Sequence, residues 1–136
     1  MPKLNREGQS AILTPYQIAK IRDTLKGPYK LIWDLANFTG ERWGAILALK
    51  VADCYEPNGS VREFITFKWH TRKQSAGKKA ETRQVYCHPV LRLNLQDYSQ
   101  PINGFLFPSP VNPDKQISSQ SADYALGRVI NQGERI

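Results

Sequence analysis

The sequence predicts an α+β domain, mostly helical, with a small three-stranded antiparallel sheet in its middle. Three observations carry this. Apolar residues recur at helical spacing up to about Asp53, alternate in period two between Val61 and His88, and return to helical spacing from Pro89. A chain of 136 residues, 40% of them apolar and without repeats or low-complexity stretches, is most simply one domain with its own core.

The first helix is announced by L-T-P-Y-Q-I-A-K-I-R-D-T-L-K-G. Thr14 suits the N-cap, Pro15 the first helical position and Gln17 the far side of a capping box, while Gly27 suits the C-terminal stop. Ile18, Ile21 and Leu25 then share a face. Residues 1–12 are polar and read as a flexible leader, leaving 13–136 as the domain. The second helix, P-Y-K-L-I-W-D-L-A-N-F, presents Leu31, Ile32, Leu35 and Phe38 and stops at Thr39-Gly40. A third follows at once in E-R-W-G-A-I-L-A-L-K, with Ile46, Leu47 and Leu49 as core, so the two form a tight helix corner.

Val51 to Tyr55 is expected as the first strand, and Pro57-Asn58-Gly59-Ser60 as the turn after it. In V-R-E-F-I-T-F-K-W-H, Phe64, Thr66, Lys68 and His70 alternate with Ile65, Phe67 and Trp69. A polar loop, Q-S-A-G-K-K-A-E, leads to the returning strand T-R-Q-V-Y-C-H, with Val85 and Cys87 on one face. The next helix starts at Pro89 and carries Val90, Leu91, Leu93 and Leu95; Asn103-Gly104 breaks the chain before F-L-F-P. Ser118 or Ser119 then caps a last helix whose Ala122, Leu126, Val129 and Ile130 suit the core, with Gly127 its weak point.

The net charge is +7, and most of the excess lies in one stretch. From Arg62 to Arg92 there are eight basic residues against Glu63 and Glu81. Such a stretch is either a solubilising face or a polyanion-binding one, and charge alone does not choose. No apolar run is long enough to cross a bilayer, and the N-terminus has no signal-peptide core. A cytoplasmic protein is expected. Cys54 and Cys87 lack metal-ligand spacing and read as buried, reduced thiols, with no metal or cofactor called for.

The blocks T-G-E-R-W-G-A-I-L-A-L (39–49), the basic hairpin ending in T-R-Q-V-Y-C-H-P-V-L (82–91) and F-L-F-P-S (105–109) occur in an informative order. From about Leu13 to Ile130 the chain resembles the catalytic domain of tyrosine recombinases, the phage integrase family, and looks closest to cyanobacterial integrase-like proteins. The resemblance implies that Arg42 matches the first catalytic arginine, which contacts the scissile phosphate. It implies that a lysine of the hairpin acts as general acid toward the departing 5′ hydroxyl; Lys73 is the choice, and Lys78 and Lys79 in the same loop leave the register open. Arg42 and Lys73 would then be vestigial catalytic residues, and Lys68, Arg72, Lys78, Lys79 and Arg83 DNA-binding ones. Chemically the set is coherent, because a phosphorane gains negative charge that a fixed guanidinium and a lysine stabilise.

The departures matter as much. Ala45 stands where the family carries an acidic residue, and Glu41 precedes Arg42 instead. The H-x-x-R box and the nucleophilic tyrosine have no counterpart in these residues, and Tyr16, Tyr29, Tyr55, Tyr86, Tyr98 and Tyr124 all lie upstream of where a nucleophile belongs. His70 and His88 read as surface or hairpin-packing residues. The expectation is the N-terminal part of an integrase-like catalytic domain that binds duplex DNA and is inactive alone. Two other readings stay open. A second polypeptide supplies the missing boxes, the partner calls being self-association or association with a complete recombinase; or the chain is a small basic RNA-binding domain that stacks bases on Phe64, Trp69 and Tyr86. Against the last stands the habit of strand aromatics to pack on neighbouring helices.

Overall fold

A computed structural model describes residues 14–68 and 81–134, with side chains through 127. Among them lie six helices and one two-stranded antiparallel sheet: α1 (Pro15–Thr24), α2 (Pro28–Thr39), α3 (Trp43–Leu47), α4 (Val51–Cys54), β1 (Phe64–Phe67), β2 (Arg83–Tyr86), α5 (Pro89–Asp97) and α6 (Ser119–Glu134). The expected leader, Trp69, His70 and the hairpin loop fall outside the described residues, as do the side chains of Val129 and Ile130.

The helix boundaries follow local chemistry. At α1, Thr14 Oγ1 accepts the Gln17 amide at 3.1 Å and Gln17 Oε1 accepts the Thr14 amide at 2.9 Å, the reciprocal capping box. α1 stops at Thr24, short of Gly27, which instead serves as the N-cap of α2. α2 ends at Gly40, whose φ of 74° is the left-handed stop that glycine adopts without Cβ strain. α5 is capped by His88, whose Nδ1 accepts the Val90 amide at 3.1 Å while its ring stacks on Phe38 at 4.4 Å. Ser118 Oγ accepts the Ser121 amide at 3.1 Å at the head of α6.

The expected third strand is not formed. Val51–Cys54 is a short helix because Asp53 turns back to accept the Lys50 amide at 2.9 Å, and the Tyr55 amide reaches the Val51 carbonyl at 2.9 Å. A carboxylate three residues on offers the backbone a helical turn in place of a ladder. Among the described residues pairing survives at the two ends of the segment: the Val51 amide bonds the Gly104 carbonyl at 2.9 Å beside the Lys50–Phe105 bridge, and the Arg62 amide bonds the Cys54 carbonyl at 2.8 Å beside the Tyr55–Val61 bridge. The third helix is likewise shorter than the sequence suggests, Trp43–Leu47.

α2 is the centre of the molecule and packs against α1, α3, α5 and α6. Six consecutive residues, Leu31 to Ala36, are buried, so the helix is enclosed on every side over that length. The others turn one face inward: Ile21 of α1, Ile46 and Leu47 of α3, Leu91 and Leu95 of α5, Ala122 and Leu126 of α6. Ile65 and Phe67 of β1 and Cys87 close the core from the sheet side, and Leu106 and Phe107 fill it from the F-L-F-P segment. Leu93 of α5 is exposed, off the apolar stripe that Leu91 and Leu95 define.

Among the described residues the most deeply buried charge lies on the central helix. Asp34 on α2 is 1% exposed and receives Arg22 Nε of α1 at 2.8 and 2.9 Å on its two oxygens, with Asn94 of α5 donating to Oδ2. Replacing Arg22 by Met, which keeps the stem and removes the guanidinium, should cost about 3 kcal/mol, because it strands a buried carboxylate. Arg22→Met together with Asp34→Leu should recover most of that loss. Urea denaturation of both variants checks the pair; equal stability of Arg22→Met and wild type would remove the role given to it.

Candidate functional site: the helix corner and the basic hairpin

Thr39 to Trp43 form the corner between α2 and α3, and burial alternates along it. Thr39, Glu41 and Trp43 are buried, while Gly40 and Arg42 are exposed. Arg42 is the N-cap of α3, with extended backbone at φ −78° and ψ 160°, so successive side chains point to opposite sides. The corner is held from within. Thr39 Oγ1 donates to the Leu35 carbonyl at 2.6 Å and accepts the Glu41 amide at 3.2 Å, and the Ile46 amide bonds the Arg42 carbonyl at 3.1 Å.

β2 reaches across to the same corner. Arg83 Nη1 donates to Glu41 Oε2 at 2.6 Å and to the Thr39 carbonyl at 2.9 Å, over a sequence separation of more than forty residues. Glu41, adjacent to Arg42, is thus turned away from it and neutralised by the hairpin. Arg42 itself makes no side-chain hydrogen bond or ion pair among the described residues. Trp43 lies in the core and Arg42 outside it.

The other expected site residues divide in two. Arg72, Lys73, Lys78 and Lys79 lie outside the described residues. Lys68 and Arg83 are described, and both have carboxylate partners: Lys68 Nζ is 3.5 Å from Asp53 Oδ1, and Arg83 is bound to Glu41. The remaining two cations of the basic stretch are engaged as well. Arg62 Nε lies 3.2 Å from Glu56 and its Nη1 donates to Thr66 Oγ1 at 3.1 Å; Arg92 Nη1 donates to the Val61 carbonyl at 3.1 Å. Every described member of the stretch therefore does structural work, tying the hairpin to α4, to α5 and to the corner.

Sequence reasoning missed the Glu41–Arg83 and Asp53–Lys68 partnerships. It also missed a cleft of about 630 Å³ between α4 with its following turn and the 100–104 loop, lined by Lys50, Glu56 and Arg62 among others. The turn signals Asn58-Gly59 and Asn103-Gly104 mark both of its walls. Cys54 and Cys87 are buried free thiols. Burial raises both thiols, and for Cys54 the neighbouring Asp53 adds to the shift. Among the described residues there is no group of three or more His, Cys, Asp or Glu that could hold a metal ion, and no helix is long and apolar enough to cross a membrane. No family model matches the chain, and no curated protein matches it.

Arg83→Met should lower stability by about 1–3 kcal/mol through loss of the hydrogen bonds that Arg83 gives to the buried Glu41 carboxylate and the Thr39 carbonyl, measured by chemical denaturation, with Glu41→Gln relieving part of the loss. The thiols predict a pH effect of definite sign. A thiol raised in the folded state ionises first in the unfolded chain, so the stability it contributes is complete at neutral pH. That stability is lost as pH climbs past about 8.5, at no more than about 1.4 kcal/mol per pH unit for each thiol. Cys54→Ala should flatten that alkaline decline, and an unchanged pH profile in the variant would count against the burial assigned to this thiol.

Proposed function

We propose that this chain is an integrase-like, recombinase-derived DNA-binding protein, in which Arg42 contacts a backbone phosphate of duplex DNA and the chain alone cuts nothing. The observation that carries the reading is the split at the corner. Arg42 is exposed and free of partners among the described residues, on a rigid helix junction, while the acid beside it is buried and already neutralised. A guanidinium has five donors in a planar fork that matches phosphate oxygens, and one held clear of carboxylates keeps its full charge for an anion.

The hairpin lysines, Lys73 as first choice with Lys78 and Lys79 beside it, would add phosphate contacts of the same non-specific kind. The tyrosine recombinase resemblance supports the reading through the order of its blocks. Strand cleavage is assigned to no residue here, because these 136 residues contain neither an H-x-x-R box nor a tyrosine placed after one. Nucleophile and positioning groups act as a unit, so Arg42 without them stabilises no phosphotyrosyl intermediate. On this reading the protein works in the cytoplasm with its two thiols reduced.

Binding to a labelled duplex, titrated with salt, tests the assignment. Arg42→Ala should weaken binding about tenfold and make the log–log salt slope shallower by about 0.9, the share of one phosphate. Identical slopes for the two proteins would take Arg42 out of the interface. Incubation with a nicked suicide duplex should leave no covalent protein–DNA band, and a band would falsify the claim that the chain alone is inactive.

A further inference from the structure

The cleft beside α4 has an Asn-Gly step on each wall, Asn58-Gly59 in the turn after α4 and Asn103-Gly104 in the facing loop. Of the asparagines in the chain, only these two precede a glycine. That neighbour matters chemically, because a residue without Cβ leaves its own amide nitrogen open to the side chain before it. Both steps are exposed, both glycines have positive φ, 90° at Gly59 and 80° at Gly104, and space is open where either would carry a Cβ. In composition and backbone shape the two are alike. Their hydrogen bonding differs.

At Asn58 both potential reactants are tied. The Gly59 amide donates to the Glu56 carbonyl at 2.8 Å, and Asn58 Oδ1 accepts the Ser60 amide at 3.0 Å and the Ser60 hydroxyl at 2.7 Å. The Glu56 amide closes the same turn on the Ser60 carbonyl at 2.7 Å. Donors on Oδ1 polarise the side-chain carbonyl, yet the nitrogen that would attack it is held by its own proton. At Asn103, among the described residues, neither the side chain nor the Gly104 amide makes a hydrogen bond. Anchorage begins just beyond them, where the Gly104 carbonyl accepts the Val51 amide at 2.9 Å.

We propose that Asn103 is a site of spontaneous deamidation through a succinimide, and that Asn58 is kept inert by its turn. The Gly104 amide loses its proton to solvent and its nitrogen attacks Cγ of Asn103. The N–Cγ bond forms, the Cγ–Nδ2 bond breaks, and the side-chain nitrogen takes up a proton and leaves as ammonia. Water then opens the ring at either carbonyl, which leaves an aspartate or an isoaspartate, the latter with an extra carbon in the backbone. Water is the only co-reactant, and asparagine counts among the thermolabile residues for such reasons. Either product places a new carboxylate on a cleft that Lys50 and Arg62 also line. The isoaspartate does more, because its extra carbon enters immediately before a segment paired with residues 49–51. That segment is fixed by the Gly104–Val51 bond, by the Leu106 amide on the Leu49 carbonyl at 2.9 Å and by the Lys50–Phe105 bridge, and it carries Leu106 and Phe107 into the core. Nothing in this chemistry requires DNA.

Ageing the full chain in mildly alkaline buffer, followed by peptide mapping with mass spectrometry, reads each site separately. Isoaspartate is counted by methyl transfer from labelled S-adenosylmethionine with protein isoaspartate methyltransferase. In native protein Asn103 should convert at least about tenfold faster than Asn58, because the Gly59 amide must leave its bond before it reacts. In guanidinium chloride the two should convert within about twofold of each other, since the turn that separates them is gone. Asn103→Gln, whose longer side chain closes a ring far more slowly, should remove most of the native methyl label. Its thermal melt should match wild type, because the exposed Asn103 side chain has no bond to lose among the described residues. Absence of conversion at Asn103 in native protein, equal native rates at the two sites, or undiminished labelling of Asn103→Gln overturns the proposal.

Discussion

The Asp34 carboxylate is the constraint on which the rest of the architecture turns. It sits on α2 within the stretch Leu31–Ala36 that is buried on every side, where an unpaired charge would cost several kcal/mol. α1 has to deliver Arg22 to it, and α5 has to deliver Asn94 from sixty residues away in sequence. Apolar packing alone would tolerate a range of rotations and slides between these helices. A single Nε–H that must be shared between both oxygens of one carboxylate, with an amide donating beside it, selects one of them. The apolar stripes of α1 and α5 then fall on Ile21 and on Leu91 and Leu95, the faces that this docking turns inward.

The same device, nearer the surface, decides what the basic stretch is for. A sequence excess of basic residues invites a reading as one binding face, yet Arg62, Lys68, Arg83 and Arg92 are each bonded to an acid or a carbonyl of another element. Charge in the sequence is not charge on offer. Arg83 shows this best, because its guanidinium bridges a buried glutamate and a helix-terminal carbonyl, and so fixes the hairpin to the corner that presents Arg42. The hairpin's contribution to anion binding is in that sense indirect: it removes Glu41 as a competitor for the neighbouring arginine.

What was legible in the sequence was what is decided within a few residues. Thr14 with Gln17, Gly40 and Pro89 each set a helix boundary through neighbours three or four positions away, and the alternation of β1 and β2 followed from period two. The strand expected over Val51–Tyr55 failed for an equally local reason, because Asp53 bonds back to the Lys50 amide, and composition conceals which of two short-range options a carboxylate takes. The candidate site was legible only in part. Arg42 could be found from the corner that carries it, whereas its freedom depends on Arg83 arriving from another element, and no pattern in the chain announces a pair so far apart.

That freedom also depends on phase. Between the end of α2 and the start of α3 the chain is extended at Arg42, and burial alternates across it, Glu41 and Trp43 inside and Arg42 outside. With Thr39 and Trp43 both required inside, only Glu41 can share their side and only Arg42 can oppose it. Exchanging the two residues would bury a guanidinium opposite Arg83, two like charges where the structure now has an ion pair, and would present a carboxylate to solvent. The order Glu-Arg therefore serves folding and function through one geometric fact. The acid is used up in closing the corner onto the sheet, and the arginine is left with its charge intact on the outside.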